Sequence, residues 1–386
     1  MNPQDPVIAL VAGEASGDQL GAALVDRLRL RYPRASFVGV GGPRMQEAGV
    51  ETWWDARELA VMGLVEVLSH FPRLLRLRRE LRRRLLDLRP DIFIGIDSPD
   101  FNLGLEIQLR RAGLRTVHYV SPTVWAWRKQ RVRKIGRAAD LVLCLFPFEP
   151  AFYEGHGVAA AYVGHPMADQ IDADTDPEAA RALLGLDAAA TTVALLPGSR
   201  VSEVSRLAGP MIESARLLRV QHPGLQFVTA MANNEVDAIF GQAMQDLGEQ
   251  QITRIPGRPR QVIAASDAVL CASGTATLET MLVNRPLVMV YRIAPSTFWM
   301  LKNLKIIRPQ LFSLPNILAG SALIPELVQE EAHSEAMAAE IQRWLENPER
   351  CAELRERFDQ IHEQLRCGAS ERAATEVARL LHDART

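Results

Sequence analysis

Short apolar runs alternate with longer stretches of helical periodicity along almost the whole chain, and this rhythm limits the fold more than any other feature. The runs at 7–12, 36–40, 91–96, 116–120, 140–145 and 161–163 read as strands of one parallel sheet, and those at 192–196, 226–230, 252–255, 268–272 and 286–291 as strands of a second. A chain of 386 residues is too long for one ordinary core. The expected class is therefore α/β, with two Rossmann-like parallel-sheet domains at 1–166 and 167–345. Gly164-His165-Pro166 and the acidic stretch 169–178 read as the linker. Residues 346–386 are helical and charged, with apolar spacing at Leu365, Ala373, Val377 and Leu380; they pack back on the first domain or on a second copy of the chain, as in a homodimer.

Charge and cysteine usage remove several function classes. The 44 basic and 46 acidic residues leave a formal charge of -2, which gives no reason to expect nucleic acid as a partner. Cys144, Cys271, Cys351 and Cys367 are far apart with no CxxC, so neither a zinc site nor a disulfide framework is indicated. The first residues lack a basic leader, and the run at 7–12 is too short to span a bilayer, so a soluble or peripheral protein is expected.

Two loops in the second half have the make-up of phosphate sites. In Cys271-Ala272-Ser273-Gly274-Thr275-Ala276-Thr277-Leu278-Glu279 a buried strand opens into small residues and then a helix. Ser273, Gly274, Thr275 and Ala276 offer backbone N–H groups and hydroxyls without bulk where the helix dipole favours an anion. Glu279, one turn further on, is placed to accept both hydroxyls of a ribose. The plainer reading is a strand-to-helix turn with a capping acid. The second loop, Pro197-Gly198-Ser199-Arg200, stops the run at 192–196; Gly198 lets backbone approach a ligand and Arg200 can pair with phosphate oxygens, or simply with Glu203. Together the loops favour one nucleoside diphosphate.

In open parallel sheets ligands bind beyond the carboxyl ends of the strands, so the first domain should carry the other reactant in a cleft facing the second. Its candidate loops are Gly13-Glu14-Ala15-Ser16-Gly17-Asp18, Gly39-Val40-Gly41-Gly42-Pro43-Arg44 and Asp97-Ser98-Pro99-Asp100-Phe101-Asn102. The first is neither GxGxxG nor a Walker A sequence, so NAD and ATP are not expected. Asp97, directly at a strand end, stands where a general base would sit, unless it is a turn anchor; Asp100 falls where a helix cap is expected.

The stretch 61–89 carries two apolar stripes, one of Leu64, Val67, Leu68, Phe71 and Leu75, the other of Leu74, Leu77, Leu81, Leu85 and Leu88. Seven arginines, Arg73, Arg76, Arg78, Arg79, Arg82, Arg83 and Arg84, surround them. One stripe can face the core and leave the other for a membrane interface, unless Pro72 breaks the helix.

Six strings carry a family resemblance: Val11-Ala12-Gly13-Glu14-Ala15-Ser16-Gly17-Asp18, Ala60-Val61-Met62-Gly63-Leu64-Val65-Glu66-Val67, Gly95-Ile96-Asp97-Ser98-Pro99-Asp100-Phe101-Asn102, Tyr119-Val120-Ser121-Pro122-Thr123-Val124-Trp125-Ala126-Trp127-Arg128, Leu195-Leu196-Pro197-Gly198-Ser199-Arg200 and Ser313-Leu314-Pro315-Asn316. In this order, over nearly the whole chain, they resemble the lipid-A-disaccharide synthases, inverting glycosyltransferases of GT-B architecture from bacteria that make lipopolysaccharide. Ser98 stands where that pattern has alanine, a small departure.

The resemblance implies a UDP-2,3-diacylglucosamine donor, a 2,3-diacylglucosamine 1-phosphate acceptor (lipid X), and a β(1→6) disaccharide plus UDP as products. It implies Asp97 as base, with Asp100 and Glu14 as alternatives, and Arg200, Ser199, Gly198, the 273–276 loop and Glu279 on the donor. Asn316 would join them, and Gly13, Glu14, Ser16, Asp18 and Asp100 would line the cleft on the acceptor side. No metal and no cofactor are expected. Val65, Val67, Leu68, Phe71, Leu74 and Leu75 would meet the inner face of the cytoplasmic membrane, where both acylated substrates reside. Two rivals use similar parts: a UDP-sugar 2-epimerase, which has no need of the arginine-rich surface, and a non-catalytic nucleotide-sugar binder, which has no need of a base.

Overall fold

The computed structural model describes residues 5–59, 64–122, 131–172, 175–293 and 311–383, with side chains in the helix Leu64–Leu88 described from Arg73 onward. By internal contacts it divides into two units, Met1–Asp169 with Leu365–Thr386, and Gln170–Gln364.

In the first unit β1 (Val7–Ala12) lies between β2 (Ser36–Gly41) and β4 (Ile92–Ile96). β3 (Glu51–Asp55) extends the β2 side, while β5 (Thr116–Tyr119), β6 (Leu141–Cys144) and β7 (Ala160–Tyr162) extend the other. The order is β3-β2-β1-β4-β5-β6-β7, and every pairing is parallel. The central strands are buried from end to end, which is why they read as continuous apolar runs rather than as alternation: helices cover both faces. The second unit repeats the plan with β8 (Thr192–Leu196), β9 (Gln226–Met231), β10 (Ile252–Pro256), β11 (Ala268–Ala272), β12 (Leu287–Tyr291) and β13 (Glu326–Val328), in the order β10-β9-β8-β11-β12-β13.

Every strand expected from the sequence is present, with ends shifted by a residue or two. Two edge strands were not expected, and both lack the signal. β3 is Glu-Thr-Trp-Trp-Asp, half-exposed, its indoles packed at the margin of the core and also met by the Arg84 guanidinium at 5.7 and 4.8 Å. β13 is three residues long.

Helix α1 (Ala15–Arg31) follows β1, and the short α2 (Pro43–Glu47) follows β2. Helix α3 (Leu64–Leu88) settles the two stripes where its side chains are described. Leu77, Leu81 and Leu85 are buried, the last two packed with Val38, Val40, Phe93, Leu105 and Leu109, so the second stripe is the core-facing one. Leu74 and Leu75 are half-buried, Leu88 is exposed, and Arg76, Arg79, Arg82 and Arg83 face solvent. Arg73 pairs with Glu58. The side chains of Val65, Val67, Leu68 and Phe71 lie outside the described residues. Among the described residues no helix is long and apolar enough to cross a membrane.

The C-terminal stretch does not form a body of its own. The helix Pro348–Leu365 stays with the second unit up to Gln364: the Cys351 thiol donates to the Trp344 carbonyl at 3.1 Å and Asn284 Nδ2 donates to Asp359 at 2.7 Å. The helix Ala369–Asp383 then returns to the first unit of the same chain, where Ala373, Ala374, Val377 and Leu381 share a core with Leu24, Val25 and Leu28 of α1. Its N-terminus is capped from a distance, since Asp169 accepts from the Gly368 and Ala369 N–H groups at 2.9 and 2.6 Å. Leu381→Ala should therefore cost about 2–4 kcal/mol of stability. Urea unfolding is the check, and a variant as stable as the parent would show that this helix is not part of the core.

Candidate functional site

Each sheet grows in two directions from one strand, and the helices that follow the two central strands leave on opposite faces, opening a crevice beyond their carboxyl ends. In the second unit those strands are β8 and β11, paired in parallel with Leu196 opposite Cys271. The loops that leave them are the two with phosphate-site composition.

Together they border a pocket of about 390 Å³. Gly198, Ser199, Arg200 and Glu203 line one side, and Ser273 to Ala276 with Glu279 another. Gly198 has φ +112°, and a side chain there would run into the Glu203 carboxylate, so glycine lets the loop fold back over the helix Val201–Gln221. Gly274 has φ +139° and is the cap of the helix Thr275–Leu282. The first N–H groups of that helix precede its first intrahelical bond and lie at the positive end of the dipole, where an anion is favoured.

Charged groups stand on both sides. Arg200 is 70% exposed and bonded to Glu203 at 3.1 Å, the plain surface pairing foreseen for it. Such an i,i+3 pair is weak and solvated, so a doubly charged phosphate competes for the guanidinium at small cost. Glu279 is mostly buried, and the Nε of Arg260 donates to it at 3.3 Å. Cys271, just below the loop, is no nucleophile: burial pushes its thiol up to about 12.

The sequence reading missed the rest of the wall, Ala230 to Ala232 at the end of β9 and Gly257 with Pro259 after β10, and it missed Arg260. The Gly-Arg-Pro turn directly after a strand was a usable signal for the second. The pairing of Arg260 with Glu279, nineteen residues apart, had none.

In the first unit the corresponding strands are β1 and β4, with Ala12 opposite Ile96, so Gly13 and Asp97 leave the sheet at one level. Helix α4 (Pro99–Arg111) follows β4. Asp97 is half-buried, with its N–H bonded to the Tyr119 carbonyl at 2.8 Å. A Cβ on Gly13 would come 2.5 Å from Ser98 Oγ, so the two loops touch. Glu14 and Ser16 are exposed at the start of α1. Asp100 is exposed too, paired with Arg131 at 3.0 Å and not held against the sheet end as Asp97 is.

Two expected site residues have their hydrogen bonds taken up by neighbouring protein groups. Asp18 is buried and accepts from the N–H groups of Gly42, Arg44 and Met45 at 2.7, 3.0 and 3.1 Å, fixing the start of α2 rather than offering a carboxylate to a ligand. Asn316 is buried and does not line the pocket: its Nδ2 donates to the Ile324 carbonyl and Glu326, and its Oδ1 accepts from Leu323 and Ile324. Residues 60–63 and 123–130, which hold parts of two quoted strings, lie outside the described residues.

The second-unit pocket thus has hydrogen-bond donors at its centre, a cation on one wall and a carboxylate one helical turn away. That set fits a nucleoside diphosphate. Arg200→Ala and Glu279→Ala should each weaken UDP binding by about 1.5–3 kcal/mol, the range for a lost charged hydrogen bond. Calorimetric titration showing unchanged affinity in both variants would remove UDP from this pocket.

Comparison with known proteins agrees with this geometry. The family model described as "Lipid-A-disaccharide synthetase" matches residues 8–377. A lipid-A-disaccharide synthase of Xanthomonas campestris pv. campestris is 51% identical over 97% of this chain and 86% of its own length. One from Xylella fastidiosa is 48% identical over 98% of this chain and 99% of its own. Among solved structures, a UDP-GlcNAc 2-epimerase from Neisseria meningitidis bound to UDP-GlcNAc superposes with a TM-score of 0.66 at 11% identity, over 96% of this chain and 99% of that one. A calicheamicin glycosyltransferase gives 0.61 at 15%, over 99% and 100%. At such low identity the structures speak for the fold alone, GT-B with two Rossmann-like domains. The sequence relatives and the family model decide the family: the chain belongs to the lipid-A-disaccharide synthases and is a glycosyltransferase of lipid A biosynthesis.

Proposed function

We propose that the protein transfers 2,3-diacylglucosamine from its UDP donor to the 6-hydroxyl of 2,3-diacylglucosamine 1-phosphate, releasing UDP and inverting the anomeric centre. The observation that carries this reading is the pocket between the β8 and β11 loops, whose donors and charges suit the diphosphate and ribose of the donor.

In a single displacement the acceptor O6 forms a bond to the anomeric carbon while the bond from that carbon to the β-phosphate oxygen breaks. The O6 proton goes to the Asp97 carboxylate and the bonding electrons leave on the diphosphate. Arg200, the 273–276 loop and the helix dipole offset that charge, which is the work a metal does in other transferases. Chelation by EDTA should leave turnover intact. Glu279 accepts from the ribose hydroxyls, and Arg260 holds the carboxylate in place until they arrive.

Membrane attachment is part of the same proposal, because both substrates carry acyl chains that keep them in the cytoplasmic leaflet of the inner membrane. The exposed arginines of α3 support it, as does the apolar composition of 64–75 that precedes and overlaps them.

Acceptor-dependent UDP release from the acylated donor tests the function. Release without acceptor, or inversion at C2 of the donor, would favour the epimerase reading, and no turnover would leave a binding protein. In this assay Asp97→Asn should lower kcat by on the order of 100-fold or more, with UDP affinity unchanged. Turnover near that of the parent would shift the base to Asp100 or Glu14. Binding to anionic vesicles should weaken as salt rises, and replacing Val67, Leu68, Phe71 and Leu75 by Ser should abolish it at unchanged melting temperature. If the folded variant sediments with vesicles as before, the attachment lies elsewhere.

A further inference from the structure

Asp97 and Ser98 are consecutive residues with side chains in left-handed backbone, at φ 50° and 43°. This conformation is unfavourable for any residue with a Cβ, so the turn persists only because its surroundings hold it. The Tyr119 carbonyl takes the Asp97 N–H, the absent side chain of Gly13 leaves room for Ser98, and Asn102 Nδ2 donates to the Asp97 carbonyl at 2.9 Å.

Asn102 is wholly buried in the first turn of α4. Its Nδ2 also lies 3.3 Å from the Ile96 carbonyl and 3.4 Å from that of Val11. Three carbonyl oxygens around one atom require the NH₂ group there and not the amide oxygen. One side chain thereby ties together the ends of β1 and β4 and the turn that carries Asp97.

One helical turn along, Glu106 is equally buried, with Oε1 2.8 Å from Nδ1 of His118 on β5. His118 pairs in the sheet with Gly95, and a Cβ on Gly95 would run into Glu106 Oε1 and come 3.0 Å from the Asn102 Cβ. Glycine there makes room for both polar side chains against the sheet. Asn102 Oδ1, Glu106 Oε2 and His118 Nε2 have no hydrogen-bond partner among the described residues. Polar atoms buried in this way reduce stability, and apolar side chains of similar shape would be the more stable filling. Their work is therefore sought in positioning.

We infer that Asn102 is a positioning residue for Asp97, and that the Glu106–His118 pair sets α4 against the sheet so that Asn102 reaches the turn. The inference rests on Asp97 being the base, and the test separates the two claims. Asn102→Ala, Asp97→Asn and the double variant are compared in the UDP-release assay, with UDP titration and thermal melting alongside. Asn102→Ala should lower kcat about 10- to 100-fold, as a displaced catalytic group does. The donor KM and UDP affinity should stay within about twofold, because the donor pocket is in the other unit. In the Asp97→Asn background the same change should alter the residual rate by less than about threefold, since Asn102 acts through Asp97. Glu106→Gln, which keeps an oxygen for His118, should retain about tenfold more kcat than Glu106→Leu.

An active Asp97→Asn would overturn the base assignment. With Asp97→Asn inactive, the positioning claim fails if Asn102→Ala turns over like the parent, or if it lowers the rate by the same factor in both backgrounds, as a general loss of structure would. Should Asn102→Ala not fold, Asn102→Ser, which is too short to reach the Asp97 carbonyl, provides the same comparison.

Discussion

The structure depends on the parallel pairing of two strands in each sheet, β1 with β4 and β8 with β11. Because sheet growth reverses at these pairs, the chain must leave both strands at one level and turn to opposite faces, and a crevice opens that no core side chain fills. The residues in the next three or four positions line its mouth. In the second unit these are small residues with Arg200 nearby; in the first they are Gly13 and the Asp97–Ser98 turn. The division of chemistry follows. One crevice is rich in donors and suits an anion, the other presents a carboxylate.

What surrounds the two crevices differs in kind. Around the second-unit pocket the cations are within reach of solvent, Arg200 paired with Glu203 and Arg260 with the mostly buried Glu279, so a ligand can compete for either arginine. Beneath Asp97 the supporting groups are buried and locked, with Asn102, Glu106 and His118 inside the core. This difference suits the proposed roles, because a nucleotide site needs exchangeable contacts and a base that takes a proton in the transition state needs a fixed place.

Much of this was legible in the chain. Strands buried on both faces announce themselves as runs such as Val7–Ala12 and Ala268–Ala272, and the loops that follow them inherit their functional reading from that position. The edge strands β3 and β13 were not legible, because an edge needs neither length nor continuous apolarity. Asp18 and Asn316 share a feature that the chain does not display. Each is a polar residue in a family string whose hydrogen bonds are taken up by its neighbours, backbone N–H groups for Asp18 and backbone together with the Glu326 carboxylate for Asn316, a use that residue type and position do not distinguish from ligand binding. Arg260 was hidden because its partner lies across a strand connection, not along a helix. The second stripe of α3 was readable as periodicity, but which stripe faces the core is decided by packing against Val38, Val40 and Phe93.

The central claim is that one carboxylate on the first unit drives a direct displacement from a nucleotide held by the second. Direct attack of the acceptor hydroxyl from the face opposite the departing diphosphate inverts the anomeric centre. The most direct measurement is the anomeric configuration of the disaccharide formed from the α-linked UDP donor, read from the coupling of its anomeric proton by NMR. A β linkage is the result the account predicts, and an α linkage, which requires either two displacements or front-face attack, would contradict it.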